Sequence, residues 1–172
     1  MVIVETYSDQ LPGSVRGVAT KEQPRWLTAE EQAVWRAYLD VTRLLNDRLH
    51  RQLVDENGLS LAEYDILVHL SEAEGRRLRM SQLADHVVHS RSRLTHTISR
   101  LEQRGLVRRD PCPDDGRGVL CVLTPEGFSS LEQAAPGHVE AVRQSMFDPL
   151  TPRQVAELGM ALDRIRAGLR AP

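Results

Sequence analysis

The hydrophobic period of this chain changes at one residue, Gly105. Before it, apolar side chains recur every three or four positions: Val34, Tyr38, Val41, Leu45, Leu49 and Leu53, then Leu61, Tyr64, Leu67 and Leu70, then Leu94, Ile98 and Leu101. That is the spacing of helices with one buried face. After it, Leu106-Val107-Arg108-Arg109 and Val119-Leu120-Cys121-Val122-Leu123 read as two short strands around a turn-rich loop at residues 111–118. Few folds accommodate helices that give way to one hairpin and then resume.

The helix limits are written in caps. Thr28 with Glu31, and Ser60 with Glu63, are capping boxes that open two helices; Gly58 closes the first, and the second ends before Gly75. A short helix over residues 81–88 presents Leu83, Ala84, Val87 and Val88. Ser90 caps the next, residues 91–104, which Gly105 terminates. Thr124-Pro125-Glu126 restarts a helix that Pro136-Gly137 is expected to bend or interrupt. Thr151-Pro152 opens a last helix with Val155, Leu158, Leu162, Ile165 and Leu169 in a coiled-coil-like seam. Two heptads do not persist alone, so the seam needs a surface, within the subunit or on a second one. The order helix, helix, helix, hairpin over residues 60–124 predicts a winged helix-turn-helix. The expected fold is mainly α with a small β-hairpin wing and flanking dimerisation helices. Residues 1–25 read as a flexible arm, 26–58 as a dimerisation helix, 59–124 as a DNA-binding region and 125–172 as C-terminal dimerisation helices.

Charge points to the partner. The chain of 172 residues carries 22 basic and 24 acidic side chains, a net charge of −2, and Lys21 is its single lysine. Residues 76–117 nevertheless hold ten arginines against five acids. A basic middle between acidic flanks suits a polyanion, although a solvated arginine-rich face has the same composition. No apolar run approaches the ~20 residues of a membrane span, and Met1-Val2-Ile3-Val4-Glu5 has no export-signal pattern. A cytoplasmic chain without membrane contact is expected.

At 100° per residue, Leu94, Ile98 and Leu101 fall within about 60° of arc and face the core. The opposite side presents Ser92, His96, Ser99 and Gln103, flanked by Arg93, Thr95 and Arg100, with no acid among them. Such a face suits the major groove, where Arg reads guanine and Ser, Thr or His reach base edges. The assignment is Ser92, Arg93, Thr95 and His96 to bases, and Ser81, Gln82, Arg91 and Arg100 to phosphates, with Ser90 at the helix start. Arg117 at the hairpin tip suits a narrow minor groove, and Asp115 is placed to orient it.

Ser81-Gln82-Leu83-Ala84, Ser90, Leu94-Thr95, Leu101-Glu102, Gly105-Leu106-Val107, Asp115-Gly116-Arg117 and Leu123-Thr124-Pro125-Glu126-Gly127 together resemble the MarR family of bacterial transcription regulators. The likeness spans about residues 28–168. Gly116 stands where a second basic residue is frequent, and Cys121 where an aliphatic is usual. The resemblance implies a homodimeric repressor on a pseudo-palindromic operator of double-stranded DNA, with residues 91–104 in the major groove and Arg117 in the minor groove. It also implies release by a small aromatic or phenolic effector, for which Trp35, Tyr38, Arg36 and Arg43 offer stacking and carboxylate binding. Interface packing explains the aromatic pair equally well. Redox sensing through Cys112 or Cys121 is a rival, as is a winged helix turned to protein docking. His86 and His89, beside Asp85, are three apart but lack a third ligand, so no metal site is assigned. No catalytic motif occurs and no cofactor is expected.

Overall fold

The computed structural model describes residues 24–86, 91–112 and 115–170, and for residues 86, 91 and 115–117 the backbone alone. Most of the expected N-terminal arm, together with Val87, Val88, His89 and Ser90, lies outside the described residues. Helix α1 (Ala29–Asn57) begins at the predicted capping box, with Thr28 Oγ1 accepting from Glu31 N–H, and ends at Gly58 in the left-handed conformation, φ 64°. Helix α2 (Leu61–Glu72) opens on the Ser60–Glu63 box. Strand β1 (Arg77–Arg79) and helix α3 (Met80–His86) lead to α4 (Arg91–Gln103), strands β2 (Val107–Cys112) and β3 (Asp115–Leu123), and helices α5 (Pro125–Val142) and α6 (Pro152–Arg170).

The sheet is antiparallel in the order β1-β3-β2, so the wing has a third strand that the sequence reading lacked. Arg77-Leu78-Arg79 is too short to show a period; it becomes a strand because Leu78 pairs with Cys121 beside the core. The expected loop at 111–118 is also corrected. The ladder continues through Pro111, opposite Val119, and Cys112, opposite Asp115, with a register shift between these two pairs. Pro111 is tolerated because β2 is an edge strand, where a missing N–H breaks no ladder bond.

The core gathers Leu53 and Leu59, the α2 residues Ile66, Leu67 and Leu70, Leu83 of α3, Ile98 and Leu101 of α4, and Val107 and Cys121 of the sheet. Leu131 and Ala134 bring α5 onto it. The predicted interruption at Pro136-Gly137 does not occur: α5 runs unbroken to Val142, and a π-helical turn at Arg143–Phe147 follows it. Gly137 is where α5 crowds α1; a Cβ there would lie 2.5 Å from Glu56 Oε2 and 3.0 Å from Gln52 Nε2. Packing of Leu131, Ala134 and Ala141 offsets the cost of a mid-helix proline, about 3 kcal/mol. Tyr64 of α2 and His138 of α5 stack at a tilt, centroids 4.4 Å apart.

Two surfaces remain apolar and uncovered. Along α1, Leu49 and Leu53 are buried, but Val34 is 70% and Val41 60% exposed. No residue of α6 is buried, and Ile165 and Leu169 of its seam are 58% and 82% exposed.

The start of α5 makes the tightest backbone approach described. A Cβ on Gly127 would overlap the Leu106 carbonyl oxygen and stand 2.8 Å from Leu123 Cδ1. Gly127→Ala is therefore expected to lower stability by about 1–3 kcal/mol, read as a reduced urea midpoint with an unchanged slope.

Candidate nucleic-acid interface

Helix α4 is oriented by its apolar stripe. Leu94, Ile98 and Leu101 are buried, as their spacing requires, and this turns Ser92, Arg93, Thr95, His96, Arg100 and Gln103 to solvent. Thr97 is drawn inward, its hydroxyl donating to the Arg93 carbonyl at 3.0 Å. Ser99 is half-buried and accepts from Arg109 Nη2 at 2.7 Å. The same guanidinium lies 2.8 Å from Glu102 Oε2, and the Arg109 N–H donates to Glu102 Oε1 at 3.1 Å. The acid on the flank of α4 thus clamps the helix to β2 and leaves the exposed face free of negative charge.

A second set of contacts holds the same last turns to α1 and α2. Arg100 Nη2 is 3.2 Å from Oε1 of Glu63, whose side chain is fully buried. Arg104 Nη1 is 3.8 Å from the same oxygen and donates to the Gly58 carbonyl at 3.0 Å. Arg100, expected to hold phosphate, therefore has an internal partner, though its side chain stays 65% exposed. Spacing along the chain reveals neither clamp, because each joins side chains on different elements.

On α3, Ser81 and Gln82 are exposed, and Gln82 Oε1 accepts from the Arg79 N–H at 2.9 Å. A groove of about 450 Å³ runs between α3, α4 and the sheet and brings Ser81 and Thr95 together with Arg79, Arg109 and Gly118. The side chains of Arg91, Asp115 and Arg117, like that of His86, lie outside the described residues.

On the opposite flank of α4, a cleft of about 1020 Å³ opens toward α1 and α2, lined by Arg93, His96 and Arg100 with Asp47, His50, Leu61, Asp65 and His69. The aromatic pair expected to bind an effector sits elsewhere. Trp35 and Tyr38 stack on α1 with centroids 5.7 Å apart, both about half-exposed. Arg36 donates to Gln32, and Arg43 lies between Asp40 and Asp47 at 4.0 and 3.8 Å. None of these four lines the cleft.

Cys112 and Cys121 are free and buried. Burial pushes the Cys121 thiol from its ordinary 9.0 up to about 12, and nearby Arg109 only partly opposes this. A reactive thiolate needs the opposite shift. Among the described residues, no cluster of three or more His, Cys, Asp or Glu side chains is placed to hold a metal ion, and no helix is long and apolar enough to cross a membrane.

Residues 57–118, the span from the end of α1 through the wing, match the family model described as MarR family. The solved structure of Sco3205, a MarR family transcriptional regulator from Streptomyces coelicolor in complex with DNA, is 49% identical, covers 88% of this chain and 94% of its own, and superposes with a TM-score of 0.81. The chain belongs to the MarR family. AbsC, a MarR family transcriptional regulator also from Streptomyces coelicolor, is 46% identical over 86% of this chain and 99% of its own, with a TM-score of 0.78. The HTH-type transcriptional regulator PecS of Dickeya dadantii (strain 3937) is 32% identical over 73% of this chain and 76% of its own. This MarR-family chain is a transcriptional regulator, and the architecture of helices and three-stranded wing is that of its family.

The buried thiol gives this MarR regulator a signature in alkaline solution. Below pH 9.0 Cys121 is neutral folded or unfolded, so its contribution is fully present. Between 9.0 and about 12 the unfolded chain loses the proton and the folded one keeps it, so stability falls as pH rises. Cys121→Val is expected to remove up to about 1.4 kcal/mol per pH unit of that decline, measured by urea unfolding at a series of alkaline pH values.

Proposed function

We propose that this MarR-family regulator binds double-stranded DNA sequence-specifically as a homodimer, reads a pseudo-palindromic operator with one α4 from each subunit, and represses transcription. The observation that carries the reading is the outward face of α4. Ser92, Arg93, Thr95 and His96 are exposed together, offer donors and acceptors and include no acid, while buried Leu94, Ile98 and Leu101 fix the direction in which they point. Hydrogen-bonding side chains on a rigid helix match the base edges of the major groove. Ser81, Gln82, Arg91 and Arg100 flank that face and take phosphates, which set register. Arg117 enters the minor groove and Asp115 orients it. That Sco3205 was solved on DNA supports the assignment.

The dimer follows from the uncovered apolar surfaces. The exposed half of α1 and the α6 seam are larger than scattered surface aliphatics and run along two helices. A second copy covers both. A small acid is the effector, and its place is the cleft between α1, α2 and α4 rather than the Trp35–Tyr38 pair. Arg93 and Arg100 belong to both the cleft and the DNA-facing side, so a carboxylate held there draws them from the operator.

The test is selection of duplexes from a randomised pool by the purified chain, followed by titration at several salt concentrations beside scrambled DNA. An enriched, two-fold symmetric site is expected, with log K falling by about 0.9 for each phosphate neutralised. No enrichment returns the chain to a docking role. Arg93→Ala is expected to cost about 1–3 kcal/mol on the selected site and to relax preference at one position of each half-site. Ile165→Glu places a charge in the α6 seam and is expected to convert a two-subunit species to one subunit in sedimentation, with loss of operator binding.

A further inference from the structure

Two capping boxes of the described residues close with a glutamate, and their surroundings differ. At α1, Glu31 Oε2 accepts from the Thr28 N–H at 2.8 Å on an exposed surface, and nothing more is needed to cap a helix. At α2, Glu63 Oε2 accepts from the Ser60 N–H and from Ser60 Oγ, both at 2.7 Å, yet its side chain is the one charged group buried among the described residues. Burying a carboxylate is costly unless opposite charge replaces water. Its second oxygen meets that cost with Arg100 at 3.2 Å and Arg104 at 3.8 Å. Through Arg104, which also holds the Gly58 carbonyl, one carboxylate joins the end of α1, the start of α2 and the last turns of α4.

The two arginines are held differently. Arg104 is anchored a second time on backbone. Neither guanidinium makes an aligned hydrogen bond to the buried oxygen, and the Arg100 side chain is 65% exposed against 39% for Arg104.

We propose that Glu63 is a positioning residue for base reading: through Arg104 it fixes the angle of α4 against α1 and α2, and it withholds Arg100 from phosphate until α4 is seated in the groove. The inference rests on α4 being the reading helix. On a wrong sequence α4 does not seat, Arg100 stays with Glu63, and binding loses a phosphate contact. On the operator Arg100 exchanges one anion for another. Discrimination is thereby raised by a side chain that never touches DNA.

The experiment compares wild type and Glu63→Gln on the duplex that wild type selects from a randomised pool and on a scrambled duplex of the same composition. Glutamine keeps the size and can accept from the Ser60 N–H, so the cap is retained while the attraction for both guanidinium groups is lost. The variant is expected to bind the scrambled duplex more tightly and the selected one less tightly. The ratio of the two affinities should fall about tenfold, roughly the discrimination of one base pair, and the salt slope on scrambled DNA should steepen by about 0.9 per subunit as Arg100 is released. A merely structural role would lower both affinities together with the folded fraction, leaving ratio and slope unchanged, and that result overturns the proposal. If Glu63→Gln does not fold, Arg104→Gln is the second variant; its ratio should fall without a change of slope, and an unchanged ratio overturns the proposal equally. Wild type that selects no duplex refutes the reading of α4 and this inference with it, whereas selective wild type beside an equally selective variant refutes the inference alone.

Discussion

The Leu106 carbonyl is the point on which the rest of this molecule is hung. Gly105 turns the chain out of α4 with φ at 71°. The next carbonyl then accepts from the Thr124 N–H at 3.2 Å and from the Thr124 hydroxyl at 3.0 Å. Gly127 lets the first turn of α5 settle directly on that peptide. The end of α4, the base of the wing and the start of α5 therefore share a few adjacent peptides.

A second junction repeats the principle with charge in place of close packing. Glu63 ties α4 to the α1–α2 corner, and the Glu102–Arg109 pair ties it to β2. Both clamps grip the last turns of α4, and its apolar stripe of Leu94, Ile98 and Leu101 holds it along its length. The cleft against α1 and α2 and the groove against α3 and the sheet flank α4 on its two sides, and Arg93 and Arg100 line the first of them.

Features with local causes were legible in the sequence. Capping boxes at Thr28 and Ser60, the stop at Gly58, the restart at Thr124 and the inward turn of Leu94, Ile98 and Leu101 all depend on residues within a few positions of each other. What escaped the sequence depends on distant segments. Arg77-Leu78-Arg79 is a strand only because β3 lies beside it. Pro111 stays in the ladder only because β2 is an edge. Pro136 leaves α5 whole because packing elsewhere offsets it. The partners of Arg100 and Ser99 lie on α2 and β2, so an assignment made from helical faces alone treats both side chains as unengaged. That the aromatic pair on α1 stands apart from the cleft beside α4 likewise depends on how the helices pack and on no local pattern.

The strand order β1-β3-β2 has a further consequence. A three-stranded sheet has two open edges, each a template on which another chain can zip. Here one edge is the three-residue strand with Arg77 and Arg79, and the other carries Arg108, Arg109 and Pro111. Proline offers no amide to an incoming strand. Pro111 thus blunts the β2 edge against a strand from another copy.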